Sequence, residues 1–438
     1  MNIKIILPTC YDEHGKLLKV GKVVFPNLTI LYLAGMVPKE HPVTVTDESL
    51  QDIDFDTPTD LVGISVNTPN ASRAYEVADE FRKRGVTVVL GGIQPTFLPD
   101  EARPHADALV IGEAEDAWPA LIRDREHGDL KPLYRSARRE SLANLAHPRF
   151  DLIDYAKYVR LPFRRSPMIP IQTARGCPHD CEFCSVSEFW GQKLRVRPVE
   201  EVVAEIQLSR ADTFFFTDDN FFADTRRARQ LMEALVPLKI KYFCQLDTTV
   251  ARHPELLKLL AQSGCMLSFI GIESLSPASL KRMKKGFNRP EEYKTLFQLL
   301  HRHGINVYAS IIVGFDGDDQ ALIHDTVDFL IKQRTSVAAF FPLTPFPGTP
   351  LYDRLKSEQR LIADDWWLGS DYASRFIRIK YGPGEATNVE LRKLAMERFY
   401  ALPSIVKRYR VPGRNRLLPL LINMEIRRRI KKSMAGFL

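Results

Sequence analysis

The sequence predicts an α/β protein in three parts: a Rossmann-like doubly wound domain, a partial (β/α)6 TIM barrel, and a mainly helical C-terminal region with a basic tail. Three observations predict it. Short apolar segments alternate with helix-like segments over residues 1–125, the alternation returns with a longer period over 166–350, and helical patterning dominates 351–438. Apolar strands of this kind between helices belong to parallel sheets covered on both faces. At 438 residues the chain is also too long for one ordinary core.

In the first part, strands are expected at 3–7, 43–46, 61–66, 86–90 and 108–111, with helices at 28–36, 72–84 and 118–125. Ligands of such sheets bind beyond the carboxyl ends of the strands. The loops there carry Ser65 and Asn67, the pair Gly91-Gly92, and Gly112-Glu113-Ala114-Glu115. Glycine pairs admit close backbone approach to a ligand, and they also simply turn the chain. Residues 126–165 have few long apolar runs and read as a linker, with Pro162, Pro167 and Pro170 limiting helix formation before the barrel. Barrel strands are expected at 169–172, 214–217, 242–246, 267–272, 307–313 and 337–343, with helices at 198–208, 225–236, 254–262 and 290–303. Barrel chemistry is placed at the C-terminal strand ends.

Just after the first barrel strand, three of the six cysteines fall within eight positions: Cys177, Cys181 and Cys184, spaced Cys-x3-Cys-x2-Cys. Thiolates so close in sequence can share one soft metal centre. Three of them complete neither a tetrahedral zinc site nor a four-cysteine cluster, so a [4Fe–4S] cluster held this way keeps one iron open. Zinc with His179 as a fourth ligand, or reduced core cysteines, are the alternatives. The pattern strongly resembles the radical S-adenosylmethionine (SAM) enzymes, with Phe183 where that family usually has an aromatic residue. The resemblance implies a [4Fe–4S] cluster whose open iron chelates SAM. It also implies an external reductant such as flavodoxin or ferredoxin, and SAM cleavage to a radical that abstracts hydrogen.

The other strand ends supply candidate SAM contacts. Asp218, Asp219 and Asn220 follow the second strand, where unpaired charge has little reason to enter a core. The resemblance implies that Asp218 or Asp219 meets the SAM amino group, a solvated loop or helix cap being the alternative. Gln245 and Asp247 follow the third strand and face ribose or substrate. By resemblance Glu273, at the fourth, contacts the amino group or ribose, against a salt bridge to a barrel arginine. Ser310 and Gly314, at the fifth, belong to a segment that packs along adenine in the family, though a plain turn also explains Gly314. The loop 345–350 is expected to shape the mouth. Tyr308, Trp190, Trp366 and Trp367 line an apolar substrate cavity or are simply core.

The glycine loops, lying ahead of the cysteines, resemble the cobalamin-binding domain of the B12-dependent radical SAM class. That subgroup includes the anaerobic magnesium-protoporphyrin ester cyclase and the bacteriochlorophyll and hopanoid methylases. The resemblance implies cobalamin as a further cofactor, contacted by Ser65, Asn67, Gly91, Gly92, Gly112 and Glu113. Other cobalamin domains supply a lower cobalt ligand from Asp-x-His-x-x-Gly. Here Asp12-Glu13-His14-Gly15-Lys16-Leu17 lacks that glycine, so His14 is expected to be a solvated loop residue. The implied activity is C-methylation of an unactivated carbon in a small hydrophobic substrate, a tetrapyrrole or a polycyclic or isoprenoid lipid. Oxidative cyclisation or rearrangement without methyl transfer is the alternative.

Composition, 45% apolar and 26% charged, describes a folded chain. No apolar run reaches eighteen residues, and no signal-peptide segment precedes the first strand. Cys10, Cys244 and Cys265 lie in or beside apolar runs and suggest no disulfide framework, so a cytoplasmic, reducing location is expected. The net charge of +7 is concentrated in Lys407, Arg408, Arg410, Arg414, Arg416, Arg427, Arg428, Arg429, Lys431 and Lys432. Without a recognisable RNA-binding module, nucleic acid is not an expected partner. The apolar run 417–424 followed by basic 425–432 suggests peripheral contact with the inner face of a membrane, or else a helix packed on the barrel.

Overall fold

The computed structural model describes residues 1–12, 14–161, 164, 166–369, 378–382, 386–409 and 417–431. Glu13, Pro162, Arg410, Arg414, Arg416 and Lys432 of the expectations above lie outside the described residues.

The N-terminal sheet is parallel throughout, in the order β2-β1-β3-β4-β5-β6. Its strands are β1 (Ile3–Leu7), β2 (Val43–Asp47), β3 (Leu61–Ser65), β4 (Thr87–Gly91), β5 (Ala108–Ile111) and β6 (Leu133–Arg135). The helices between them are α1 (Leu28–Gly35), α2 (Ala71–Lys83), α3 (Ile93–Phe97), α4 (Pro99–Ala102) and α5 (Ala114–His127). Burial explains why the strands were legible: β3 and β5 are buried at every position, as in a sheet covered on both faces. β6 was not singled out, because Leu133 and Arg135 are exposed at the sheet edge and only Tyr134 is buried. α5 begins at Ala114, earlier than expected, and Glu113 is its N-cap residue.

The second sheet is also parallel, ordered β14-β13-β12-β11-β10-β7, and forms the open six-stranded barrel. It begins with β7 (Ile169–Ile171). A two-residue hairpin, β8 (Ala174–Arg175) with β9 (Arg195–Val196), then brackets the cysteine loop and α6 (Ser185–Trp190). Strands β10 (Thr213–Phe216), β11 (Lys241–Leu246), β12 (Cys265–Glu273), β13 (Asn306–Val313) and β14 (Val337–Pro342) follow. They are separated by α7 (Val199–Ser209), α8 (Thr225–Leu235), α9 (Pro254–Gln262), α10 (Pro277–Arg282), α11 (Pro290–Arg302) and α12 (Gln320–Lys332). Period-2 alternation divides the strands. Phe214, Tyr242, Ile270 and Ile311 join the helices in one large core, while Phe215, Phe243, Leu267, Phe269 and Tyr308 form a smaller apolar cluster with Leu161, Met168 and Leu418.

Beyond the barrel come α13 (Pro350–Ser357), α14 (Asn388–Phe399), α15 (Leu402–Tyr409) and α16 (Leu417–Lys431). The basic tail is not uniformly a surface feature. Arg408 is 1% exposed, donating to Thr335 and Phe399 carbonyls and to Asn423. Among the described residues, no helix is long and apolar enough to cross a membrane.

Trp366 and Trp367 take the core alternative. Both are core residues of the second apolar cluster, where Trp366 donates to the Pro345 carbonyl and Trp367 to Glu101 of the first domain. The loop at 345–350 is a packing element as well. Gly348 lies so close to the Phe97 ring that an added Cβ would stand 2.5 Å from it.

Candidate active site between the two sheets

A cavity of about 470 Å³ opens where the strand ends of the first sheet face the barrel. Ser65, Asn67, Gly91, Gly92, Gly112 and Glu113 all line it, and the barrel side supplies Gln172, Arg175, Trp190, Thr217 and Asp219. Gly92 shows why the loop needs glycine. Its φ is 109°, and a Cβ there would stand 2.7 Å from the Val66 carbonyl oxygen. His14 is exposed, its backbone N–H bound to Asp12 Oδ1, and it is not among the lining residues.

The cysteine loop hangs from the β8–β9 hairpin. Gly176, φ 91°, precedes Cys177, and a Cβ there would meet the Lys193 carbonyl at 2.5 Å. Inside the loop, Glu182 N–H donates to Met283 O at 3.2 Å, and the Glu182 carboxylate accepts from Arg354 of α13 at 2.8 Å. Cys181 is buried, Cys177 and Cys184 are half-buried, and all three are free thiols. Burial first, with smaller contributions from nearby negative charge that include the other thiolates of the triplet, pushes the Cys177 thiol up to about 11 and the Cys181 thiol up to about 12. The donor set fits an iron–sulfur cluster, because the thiolates are close enough to repel and a bound metal would relieve that repulsion. Among the described residues no three His, Cys, Asp or Glu side chains close on a single-ion site. His179 is committed elsewhere: Nε2 lies 2.9 Å from Asp247 Oδ2, and its ring stacks 3.8 Å from Phe287.

The strand-end acids divide by environment. Asp218 is buried and accepts from Thr173 N–H at 2.6 Å, Ala174 N–H at 3.0 Å and the Thr173 hydroxyl. It anchors the turn that leads into the cysteine loop, although burial still pushes its carboxyl above the ordinary range. Asp219 instead faces the cavity. Burial first, then the Asp218 charge, raises it to about 7. Gln245 Nε2 donates to the Asp218 carbonyl at 3.2 Å. Asp247 is held below its usual range despite burial by bonds from His179 and Thr249.

Glu273 ends β12 at a register shift with φ 63°, a left-handed conformation uncommon outside glycine. Its carboxylate accepts from Lys285 Nζ at 2.6 Å and from Ser310 Oγ at 3.2 Å. The barrel-arginine alternative is thus corrected to a lysine. Burial pulls the Lys285 ammonium down, but Glu273 and then Cys181 outweigh it and hold the group above its ordinary value. Sequence reasoning missed Lys285, since Lys284-Lys285 reads as solvated loop. Gly314 is closed off: an added Cβ would meet Asn388 Cβ at 2.4 Å, and its carbonyl accepts from Tyr381 at 3.1 Å. The C-terminal region thus packs against Gly314 on the side where a Cβ would stand. Trp190 lines the cavity with Arg175 4.6 Å from its ring centre, whereas Tyr308 packs edge-on to Phe269 at 4.5 Å.

Residues 171–330 match the model of the Radical SAM superfamily, and residues 17–122 match the B12 binding domain. The chain is 32% identical over 406 residues to the bacteriochlorophyllide d C-12(1)-methyltransferase of Chlorobaculum tepidum, covering 91% of this chain and 87% of that one. It is 26% identical over 400 residues to the hopanoid C-2 methylase of Rhodopseudomonas palustris, covering 88% and 73%. The fold of TsrM, a radical SAM methyltransferase from Kitasatospora setae solved with cobalamin and a [4Fe–4S] cluster, superposes with a TM-score of 0.68 at 17% identity, over 99% of this chain and 100% of that one. The fold and the site define a radical SAM enzyme with a B12-binding domain. More narrowly, the chain belongs to the cobalamin-dependent radical SAM family that contains the bacteriochlorophyllide and hopanoid methylases.

Proposed function

We propose that the protein methylates an unactivated carbon of a hydrophobic tetrapyrrole or polycyclic lipid. The observation that carries this reading is a cavity walled by both domains, lined by the strand-end loops of the first domain together with Asp219 of the barrel. Cys177, Cys181 and Cys184 would hold the cluster. Asp219, Gln245, Ser310 and the Glu273–Lys285 pair would contact SAM, and Ser65, Asn67, Gly91, Gly92 and Gly112 at the strand ends of the first sheet would contact cobalamin. When bound, these cofactors supply hydrogen abstraction and a transferable methyl group. The chain's own residues position them: Asp218 fixes the turn before the cysteines, and Glu182 with Arg354 fixes the loop after Cys181.

The identity with the bacteriochlorophyllide d methyltransferase supports a tetrapyrrole as the first substrate to try. The test is anaerobic incubation of the reconstituted protein with bacteriochlorophyllide d and methyl-deuterated SAM, followed by mass analysis. A gain of one labelled methyl in place of hydrogen supports methylation. Loss of hydrogens or gain of oxygen without label would replace it with oxidative cyclisation. Apolar side chains Leu417, Leu421 and Met424 are exposed on α16, which also carries Arg428, and this supports peripheral contact with an anionic membrane.

A further inference from the structure

Glu113 was expected to face a ligand, yet its carboxylate is shared between two arginines of the other domain. Arg175 Nη1 lies 2.9 Å from Oε2, and Arg195 Nη1 lies 2.6 Å from Oε1. Arg175 Nη2 also pairs with Glu115 Oε1 at 2.5 Å, and Tyr32 donates to that same oxygen at 3.1 Å. The side chains of Arg175, Glu113, Glu115 and Arg195 are exposed by only 4, 2, 5 and 4%. The position of the two arginines is what gives this meaning. Arg175 lies on β8 before Cys177 and Arg195 on β9 after Cys184, so they are the two roots of the cysteine loop. The second root is fastened further, since Arg195 donates to the carbonyls of Arg139 and Trp190.

Burying four charges is costly, and the cost is recovered only when every pair is intact. Sliding one domain against the other by even one residue would break all three pairs together. Glu113, Glu115, Arg175 and Trp190 are also cavity wall, and Glu115 Oε2 has no hydrogen-bond partner among the described residues. A guest in the cavity excludes water beside these pairs, and Coulomb attraction rises as the local dielectric falls.

Resting on the cofactor assignment above, we infer that Glu113 is a positioning residue that couples the two cofactor sites: by gripping both roots of the cysteine loop, it makes filling of the cavity and seating of the cluster mutually reinforcing. Linkage requires the effect to be reciprocal. The test is an anaerobic absorbance titration of the full chain with hydroxocobalamin, with and without the reconstituted cluster. The unaltered protein should bind about tenfold more tightly when the cluster is present, within the usual range of coupling. The double variant Glu113→Gln with Arg195→Met removes one anion and one cation together, so no charge is left buried alone. It should keep its iron and bind hydroxocobalamin, with the ratio reduced to about one. A ratio near one in the unaltered protein, or an unchanged ratio in the double variant, overturns the inference while leaving the cofactor assignment intact. Failure of the unaltered protein to hold iron or corrinoid overturns both. Should the double variant not fold, hydrogen exchange in the unaltered protein decides. Amides of Arg195 and Val196, outside the cavity wall, should slow on addition of hydroxocobalamin, and unchanged exchange there refutes the coupling.

Discussion

Asp218 and Asp219 are adjacent carboxylates to which the structure gives different work, and replacing each in turn separates them. Asp218→Ala removes one charged acceptor and strands two backbone N–H groups and a hydroxyl in a buried turn. Hydrogen bonds to charged groups contribute about 1.5–3 kcal/mol each, and an unsatisfied buried donor costs about 1–3 kcal/mol. These overlap and are not additive, so the expected loss is about 3–5 kcal/mol, at the upper end for single substitutions. Asp218→Asn keeps one oxygen able to accept from both N–H groups and should lose about 1–2 kcal/mol, roughly one such bond. Because the turn leads into the cysteine loop, the alanine variant should also bind less iron after reconstitution. Asp219→Asn should unfold at the same or a slightly higher urea concentration near neutral pH, because it removes a carboxyl whose ionisation burial opposes, and should retain iron and bind SAM more weakly. Urea unfolding of the cluster-free chain, iron analysis and SAM binding form the assay. An Asp218→Ala protein with normal stability and iron but no SAM binding would refute the anchoring role and exchange the two assignments.

Further outcomes are expected elsewhere. Electron paramagnetic resonance of the cob(II)alamin-loaded protein should show no nitrogen splitting from a lower ligand, because His14 lies outside the cavity wall; splitting that disappears in His14→Ala would contradict this. Liposomes with anionic lipid should float the unaltered chain at low salt but not a Leu421→Glu, Met424→Glu variant, and equal flotation of both would remove α16 as the contact. Asp316 is held below its ordinary range, first by the hydrogen bond from Arg360 and then by Arg282. A depressed carboxyl contributes stability above its unfolded value of 3.8 that is lost as pH falls through the lower folded value. The Asp316→Asn variant should therefore show a shallower acid-induced loss below about pH 4, as a urea series in that range would measure.

Strands such as β3 and β5 were legible because they are apolar runs buried on both faces, and the cysteine triplet because its ligands are local in sequence. What escaped is non-local or short. The β8–β9 hairpin has two residues per strand, too few for any periodicity. The partners of Glu113 lie 62 and 82 positions away in sequence, and nothing in Gly112-Glu113-Ala114-Glu115 distinguishes a carboxylate facing a ligand from one facing arginine. Glu273 stood out at its strand end, but nothing in the sequence joined Lys285 to it until folding buried the two together. Trp366 and Trp367 stayed between cavity lining and core because aromatic rings serve both. Gly314 stayed between close approach to a ligand and a plain turn, because the packing of Asn388 against it comes from a distant part of the chain.

The central claim is that one chain holds an iron–sulfur cluster on Cys177, Cys181 and Cys184 and a corrinoid on the first sheet. Metal and corrinoid analysis of the anaerobically reconstituted protein, beside its Cys181→Ala variant, tests it most directly. The account predicts about four iron atoms and one corrinoid per chain, with 5'-deoxyadenosine released from SAM on reduction. In Cys181→Ala it predicts loss of iron and of 5'-deoxyadenosine, with corrinoid retained at weaker affinity. A single zinc per chain, full iron in the variant, or an unaltered protein that retains no corrinoid would contradict it.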